Sequence, residues 1–303
     1  MKKSLIALAV LAASGAAMAQ SSVTLYGVVD VGFGKQTGSD AQMFSAARGN
    51  NGDSRLGVRG VEDLGGGLKA SFVMEQGINV EDGANTAAKP FQRNAWLALQ
   101  GGFGRVQMGR TLSPSFYGVA AWELTGAANY TAVGNQFGWG GNATRHDSLF
   151  QYTFASGPFS STLGYVFKQD NPIAAGVNRS KFDLNAIYTQ GPIVASVVYG
   201  KTSGVNASWG IGGSYDFGSF KVAGGWHDTT TPRKGFSIGA TVPLGAFSVT
   251  ADIARVTTSG FKETDYVLEA KYALSKRTFA YGAIHRDGGP KVTTSSIGVR
   301  HNF

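Results

Sequence analysis

The chain has no cysteine, few charges and no long apolar run beyond its first twenty residues, and each absence removes a class of protein. Zero cysteines in 303 residues exclude thiol catalysis, thiolate metal centres and a disulfide framework. A mean hydropathy of −0.06 is too polar for a bundle of transmembrane helices. No stretch after Gln20 approaches the ~18 consecutive apolar residues of a spanning helix. Charged residues are only 15% and aromatics 12%, which does not describe a disordered chain. The four histidines, His146, His227, His285 and His301, never fall at H-x-x-x-H spacing, so no metal is expected. Gly65-Gly66-Gly67 lacks a following Gly-Lys-Ser/Thr and reads as a turn, not a phosphate loop. No cofactor and no enzymatic activity are expected.

Turning to what is there, glycine stands at 44 residues, roughly twice the ~7% of average usage. The net charge of +8 invites a nucleic-acid partner, but the N-terminus argues for export. Lys2 and Lys3 precede an apolar run through Leu5, Ile6, Leu8, Val10 and Leu11, then Ala17-Met18-Ala19. That order describes a secretory signal peptide over residues 1–19, cleaved between Ala19 and Gln20. The expected mature domain is 20–303, and no nucleic acid is expected to meet it.

After Gln20 the chain alternates in period two. Val23, Leu25, Val29, Val31 and Phe33 interleave with Thr24, Tyr26, Asp30 and Gly32. Ala207, Trp209, Ile211, Tyr215 and Phe217 interleave with Ser208, Gly210, Ser214 and Asp216. Each run reads as a strand with one apolar and one polar face. Sixteen such segments can be placed, from 23–33 and 54–62 through to 277–286 and 293–303, with fourteen or eighteen also compatible. Connectors alternate between short and long, the longest being Gly34–Asp53 and Thr111–Thr144. Short turns at one end and long loops at the other are the habit of outer-membrane barrels. In lipid every backbone polar group must be paired internally, so a strand-only wall must close. The apolar face then points outward. Tyr152, Phe154, Phe159, Phe217, Phe220 and Tyr272 lie near strand ends, where aromatic girdles meet lipid headgroups. A soluble secreted barrel is the competing reading.

Four motifs carry a family resemblance. Ser22-Val23-Thr24-Leu25-Tyr26-Gly27-Val28-Val29-Asp30, the run Ser54–Ala70, Gly102–Arg110 and the terminal Gly298-Val299-Arg300-His301-Asn302-Phe303 resemble Gram-negative general porins of the β-proteobacterial type. The resemblance implies an all-β fold: a 16-stranded antiparallel transmembrane β-barrel with a long third external loop folded into the pore. It also implies a homotrimer in the outer membrane, in contact with lipids and lipopolysaccharide. Phe303 resembles the terminal aromatic recognised by the outer-membrane assembly machinery.

A barrel of this size leaves an aqueous channel, and charges at its narrowest point set selectivity. The 111–144 connector carries Phe116, Tyr117, Trp122, Tyr130, Phe137 and Trp139, an apolar load that predicts folding inward against the wall. Glu123 is its only carboxylate and is expected to face the pore. Arg55, Arg93 and Arg145 sit near the starts of strands two, four and six, at equal offsets from the outer end, and the resemblance implies an arginine cluster there. Arg93 shares parity with Ala95, Leu97 and Leu99, which leaves its direction open. Arg59 points inward, one to two pleats lower, and replacing Arg300 is expected to change the selectivity less than replacing Arg55 and Arg145. The alternatives are rim arginines that bind lipopolysaccharide phosphates, or arginines silenced by acids. Lys181/Asp183 and Glu269/Lys271 read as same-face pairs in a solvated lumen. The expected function is passive diffusion of ions and small hydrophilic solutes with weak preference for anions. A substrate-specific channel, and a surface adhesin or an outer-membrane hydrolase using His301, are the alternatives.

Overall fold

The computed structural model describes residues 22–303 apart from 46, 142, 143, 171, 175, 176 and 232. The signal segment and the Ala19/Gln20 cleavage point lie outside the described residues. Sixteen strands make the wall: β1 (Ser22–Gln36), β2 (Arg55–Gly65), β3 (Leu68–Gly77), β4 (Asn94–Gly101), β5 (Gly104–Leu112), β6 (Arg145–Ser156), β7 (Phe159–Val166), β8 (Lys181–Gln190), β9 (Ile193–Thr202), β10 (Ser208–Asp216), β11 (Lys221–Asp228), β12 (Lys234–Leu244), β13 (Phe247–Val256), β14 (Thr264–Ala273), β15 (Thr278–Asp287) and β16 (Val292–Asn302). Each pairs antiparallel with the next. A short strand, Ala41–Phe44, folds back onto β1.

Closure falls on β1, which is shared between two neighbours. Its first part pairs with β2, from Ser22↔Val61 to Val28↔Arg55. From Val28↔Asn302 to Gln36↔Thr294 it pairs instead with β16. Phe303 completes the seam, exchanging backbone hydrogen bonds with Gly27 at 3.1 Å in each direction. The seven reversals from β2–β3 to β14–β15 are short and share one end with the termini, while the long connectors share the other.

The two faces differ as alternation requires. Along β9, Val197 and Tyr199 are exposed whereas Ser196 and Val198 are buried. Along β12 to β14, Ile238, Ile253, Tyr266 and Leu268 point outward, while Ser237, Asp252, Asp265 and Glu269 point inward. An apolar surface that continues around the wall exceeds what a water-facing protein tolerates, so the outer face is solvated by hydrocarbon. Aromatic pairs ring the short-turn end: Phe159–Tyr188 at 4.9 Å, Phe217–Phe220 at 4.6 Å and Phe247–Tyr272 at 4.4 Å between centroids. They form the girdle expected where wall meets headgroups.

A hydrocarbon-facing wall has a measurable signature. Ile238, outward near the centre of β12 and 58% exposed, is expected to lose ~2–4 kcal/mol of folding free energy on substitution by Arg in a bilayer. The urea midpoint of the vesicle-embedded variant checks this; an unshifted midpoint contradicts a lipid-facing wall.

Candidate functional site

The connector between β5 and β6 supplies most of the apolar core. Ser113 caps helix α1 (Pro114–Ala120), its Oγ accepting from the Phe116 N–H at 3.2 Å with proline in the first turn, an ordinary helix start. A second helical stretch, α2 (Ala132–Gly141), is broken where Gly138, Trp139 and Gly140 all take left-handed dihedrals. Trp122, Tyr130 and Phe137 are almost wholly buried. Trp122 lies flat over Gly212 and Gly225, where any Cβ would collide with the indole, and Phe137 stacks on His227 at 4.8 Å. Those wall residues belong to the inward face, so the segment is packed against the inside of the barrel, as its aromatic load predicts.

Polar side chains on β8, β9 and β14 fasten it. Asp183 accepts from the Ser115 N–H at 3.0 Å and from its hydroxyl, Asn185 donates to the Pro114 carbonyl at 2.7 Å, and Ser196 donates to the Gly118 carbonyl at 2.6 Å. Tyr130 donates to Glu269, Gln136 to Asp265, and Lys271 to the Thr125 carbonyl at 2.8 Å. Burial, and then the Glu269 carboxylate, hold the Tyr130 phenol above its ordinary pKa, so it stays the donor. These contacts correct the reading of Lys181/Asp183 and Glu269/Lys271 as solvated pairs. Asp183 and Glu269 are about 1% exposed, because the loop covers them and uses them as acceptors.

Glu123 is corrected too. It is 6% exposed, and its carboxylate accepts from the Thr125 and Ala127 N–H groups, both at 2.6 Å, and from the Thr125 and Thr131 hydroxyls. It folds the loop back on itself and is not presented to the pore. Four local donors satisfy the charge more fully than water in a bore would.

The arginines converge. Arg55, Arg93, Arg145 and Arg300 line one 440 Å³ cavity between the wall and the loop, with Asp53 and Asn129 among its other walls. Arg93 precedes β4 rather than lying in it, which frees it from the outward parity of Leu97 and Leu99. Its Nε meets Glu75 at 2.8 Å and an Nη meets Asp53 at 2.9 Å. Arg55 is 3.7 Å from the same Glu75, which also accepts from the Tyr26 hydroxyl at 2.8 Å. Arg145 donates to the Arg93 carbonyl, and Arg300 to the Asn51 side-chain oxygen, both at 2.8 Å. Arg59 shares their face but sits lower, its guanidinium 5.2 Å from the Tyr26 ring centroid, and does not line the cavity.

Arg300 joins this cavity, although it is expected to bear less on selectivity than Arg55 and Arg145. The shared pairing of β1 sets Arg300 against Asp30, two residues along from the Val28 that faces Arg55. Strand tilt and stagger thus bring a residue near the end of β16 level with the start of β2. Asp53 and Glu75 were overlooked as well; their closeness to Arg93 is visible in sequence only once register is known. A Gly-x-Ser-x-Gly string, Gly235-Phe236-Ser237-Ile238-Gly239, also escapes the sequence reading. It runs along β12, paired on both sides, and lacks the strand-to-helix turn of a nucleophile elbow.

A family model for Gram-negative porins matches residues 5–289. The chain belongs to the Gram-negative porin family. The porin is 35% identical to outer membrane porin protein 32 of Delftia acidovorans and 29% identical to an outer membrane porin protein of Bordetella pertussis, each across the full length of both chains. Its fold matches an anion-selective porin from Comamonas acidovorans at a TM-score of 0.78 and 27% identity, over 94% of this chain and all of that one. In-vitro folded OmpT of Vibrio cholerae, at 0.70 and 17% identity over 93% of this chain and 98% of that one, shares the fold. The porin resides in the outer membrane and serves passive diffusion across it. Family and fold make it a channel rather than an enzyme.

The anchoring of the loop can be tested by itself. Asp183→Ala removes the acceptor of the first α1 amide and is expected to lower the opening free energy of the 115–121 amides by ~1–3 kcal/mol. Hydrogen exchange should show this while the β8 and β9 ladders keep their protection. Uniform loss of protection across the wall would assign Asp183 to the barrel rather than to the loop.

Proposed function

We propose that the porin favours anions, and that the field responsible arises where the infolded 111–144 loop faces Arg55, Arg93, Arg145 and Arg300. The observation that carries this is the shared cavity: four guanidinium groups against the carboxylates of Asp53 and Glu75 leave two net positive charges. Arg145 and Arg300 rest on neutral oxygens, so their charge is available to a passing solute. An adjoining 300 Å³ cavity shares Arg93 and Arg145 and adds Arg110, extending the basic lining, although Asp147 meets Arg110 at 2.6 Å. Arg59 continues the lining below. The similarity to a porin described as anion-selective supports the same sign.

Magnitudes set the strength. A unit charge ~7 Å from an ion is worth ~0.6 kcal/mol in a water-like dielectric. Two charges therefore enrich anions roughly five- to tenfold at low salt. The Debye length of ~10 Å at 0.1 M shrinks to ~3 Å at 1 M, so the preference fades with salt. Reversal potential across a KCl gradient is the readout. The Arg55→Glu/Arg145→Glu double variant is expected to favour cations, and Arg300→Glu alone to shift the potential in the same direction. A cation-selective wild type, or a double variant with an unchanged potential, would contradict this assignment.

The same reading takes the functional unit as a homotrimer exported with a cleaved signal and assembled through Phe303. Exposed Val23, Leu25, Leu97 and Leu99 on β1 and β4 supply an apolar face for the contact, and in-vitro folded OmpT of Vibrio cholerae is described in a trimer form. Outer-membrane lipids, including lipopolysaccharide, surround the assembly; small anions and hydrophilic solutes are its cargo. Protein purified from outer membranes is expected to migrate as a trimer unless heated and to begin at Gln20 by intact mass. A monomer in gentle detergent, or a retained Met1, speaks against the respective half.

A further inference from the structure

The cavity at the arginine cluster has two unlike faces, and a preference for anions uses only one of them. Guanidinium groups stand on the wall side; on the loop side Leu112, Phe116, Ala127, Ala128 and Trp139 present carbon. The polar side chains of the loop at this cavity are already engaged. Asn129 donates to Asn50 and Asp53, Thr131 to Glu123, and Asn135 to the Thr131 carbonyl. What the loop offers a passing solute is therefore apolar contact. Chloride gains nothing from it.

Register sets this apolar face beside one arginine. Leu112 pairs with Arg145 across β5 and β6, and the Ser113 N–H donates to the Thr144 carbonyl at 2.9 Å. Helix α1 starts at the next residue, so Phe116 stands about one turn from Arg145, and both line the cavity. The Phe116 ring meets Trp139 at 4.6 Å between centroids. Trp139 has a φ of 58° between two left-handed glycines, a conformation that residues with a β-carbon adopt at a cost. Its indole closes over Gly134, where a Cβ would come within 2.9 Å of the ring. Strain held in place by surrounding packing gathers at ligand sites, and here it fixes an aromatic surface near a cation.

Arg145 is open to a ligand. Its Nε donates to the Arg93 carbonyl, and among the described residues neither Nη has a hydrogen-bond partner. Two parallel Nη–H donors make a fork that a carboxylate fills in bidentate fashion. Arg93, by contrast, is closed by Glu75 and Asp53, and the Asp53 carboxylate repels an anion from that end. The volume of 440 Å³ falls within the ~300–1,000 Å³ of small-molecule sites. The pairing of cation with ring recurs toward the short-turn end. There Arg105 lies 4.7 Å from the Trp96 ring centroid and close enough to the exposed Tyr117 to act on its phenol.

We propose that the pore selects, among anions, carboxylates borne on an aromatic ring, with the carboxylate on the two Nη of Arg145 and the ring laid against Phe116, which Trp139 backs. Phe116 is then a specificity-determining residue. The assignment rests on the anion reading above and adds a substrate class to it. A carboxylate without an apolar body takes the fork and leaves the loop face wet. A neutral ring takes the loop face and leaves the fork empty. Only an arenecarboxylate satisfies both.

The test uses the intact porin in planar bilayers at neutral pH and about 0.1 M KCl, where screening is moderate. Benzoate, acetate and benzyl alcohol are added in turn, and the concentration that halves the single-channel current is read. Benzoate is expected to act at about tenfold lower concentration than acetate, the effect of covering one ring face with apolar surface. Benzyl alcohol should not act in the same range. Phe116→Ala should reduce the advantage of benzoate to about twofold or less, and Phe116→Leu, which keeps bulk if the smaller residue lets the loop collapse, to about threefold. Arg145→Gln should raise the half-blocking concentrations of benzoate and acetate together. Benzoate and acetate acting alike on the wild type, benzyl alcohol matching benzoate, or an advantage that survives both Phe116 variants overturns the proposal. The reversal potential of the wild type in KCl alone separates the two readings. A cation-selective channel removes the preference on which this site rests, whereas an anion-selective channel indifferent to the ring removes only this site.

Discussion

Everything in this molecule depends on the need to pair each backbone N–H and C=O inside a medium that offers no partner. A chain of alternating residues satisfies that need only by joining its first strand to its last, and here β1 does so by serving β2 and β16 in succession. Once the wall is closed, period two does the sorting: one face must be apolar for lipid, and the other is left for polar groups. The inward placement of Asp183, Asp265, Glu269 and four arginines follows from closure.

Polar inward faces then make a packed loop possible. Water would fill a bare bore, and the loop displaces it by offering hydrogen bonds to wall groups that would otherwise be solvated. Its helix start meets Asp183, its aromatic rings meet wall glycines and His227, and its far end meets Asp265 and Glu269. The loop crosses one side of the interior and leaves the arginine side open, which is why the cavity is bounded by wall on one hand and loop on the other.

The strand count, the direction of the faces and the inward fold of the 111–144 segment were legible because each rests on local periodicity or composition. The level of Arg55 and Arg145, at the starts of β2 and β6 on the inward face, was legible for the same reason. Arg300 was not, since its level depends on the stagger accumulated around a closed sheet, a quantity no local window contains. Glu123 misled because a lone acid in a loop looks available until the loop's own amides are seen to turn toward it. Glu269 and Asp183 misled in the opposite sense: same-face charged pairs look wet until something is laid over them. Arg93 was ambiguous because parity holds only inside a strand, and it stands one residue outside.

The division of labour between loop and wall has an evolutionary corollary. Apart from Glu123, the 111–144 segment carries no Asp, Glu, Lys or Arg, and Glu123 is consumed internally. Insertions or substitutions in that segment can therefore alter the bore while leaving the sign of the lining untouched, and exchanges on β2, β6 or β16 can alter the sign while leaving the bore. If the proposed arginine lining sets the preference, size exclusion and charge preference are separately heritable traits in this architecture, and a lineage can retune one without passing through variants defective in the other.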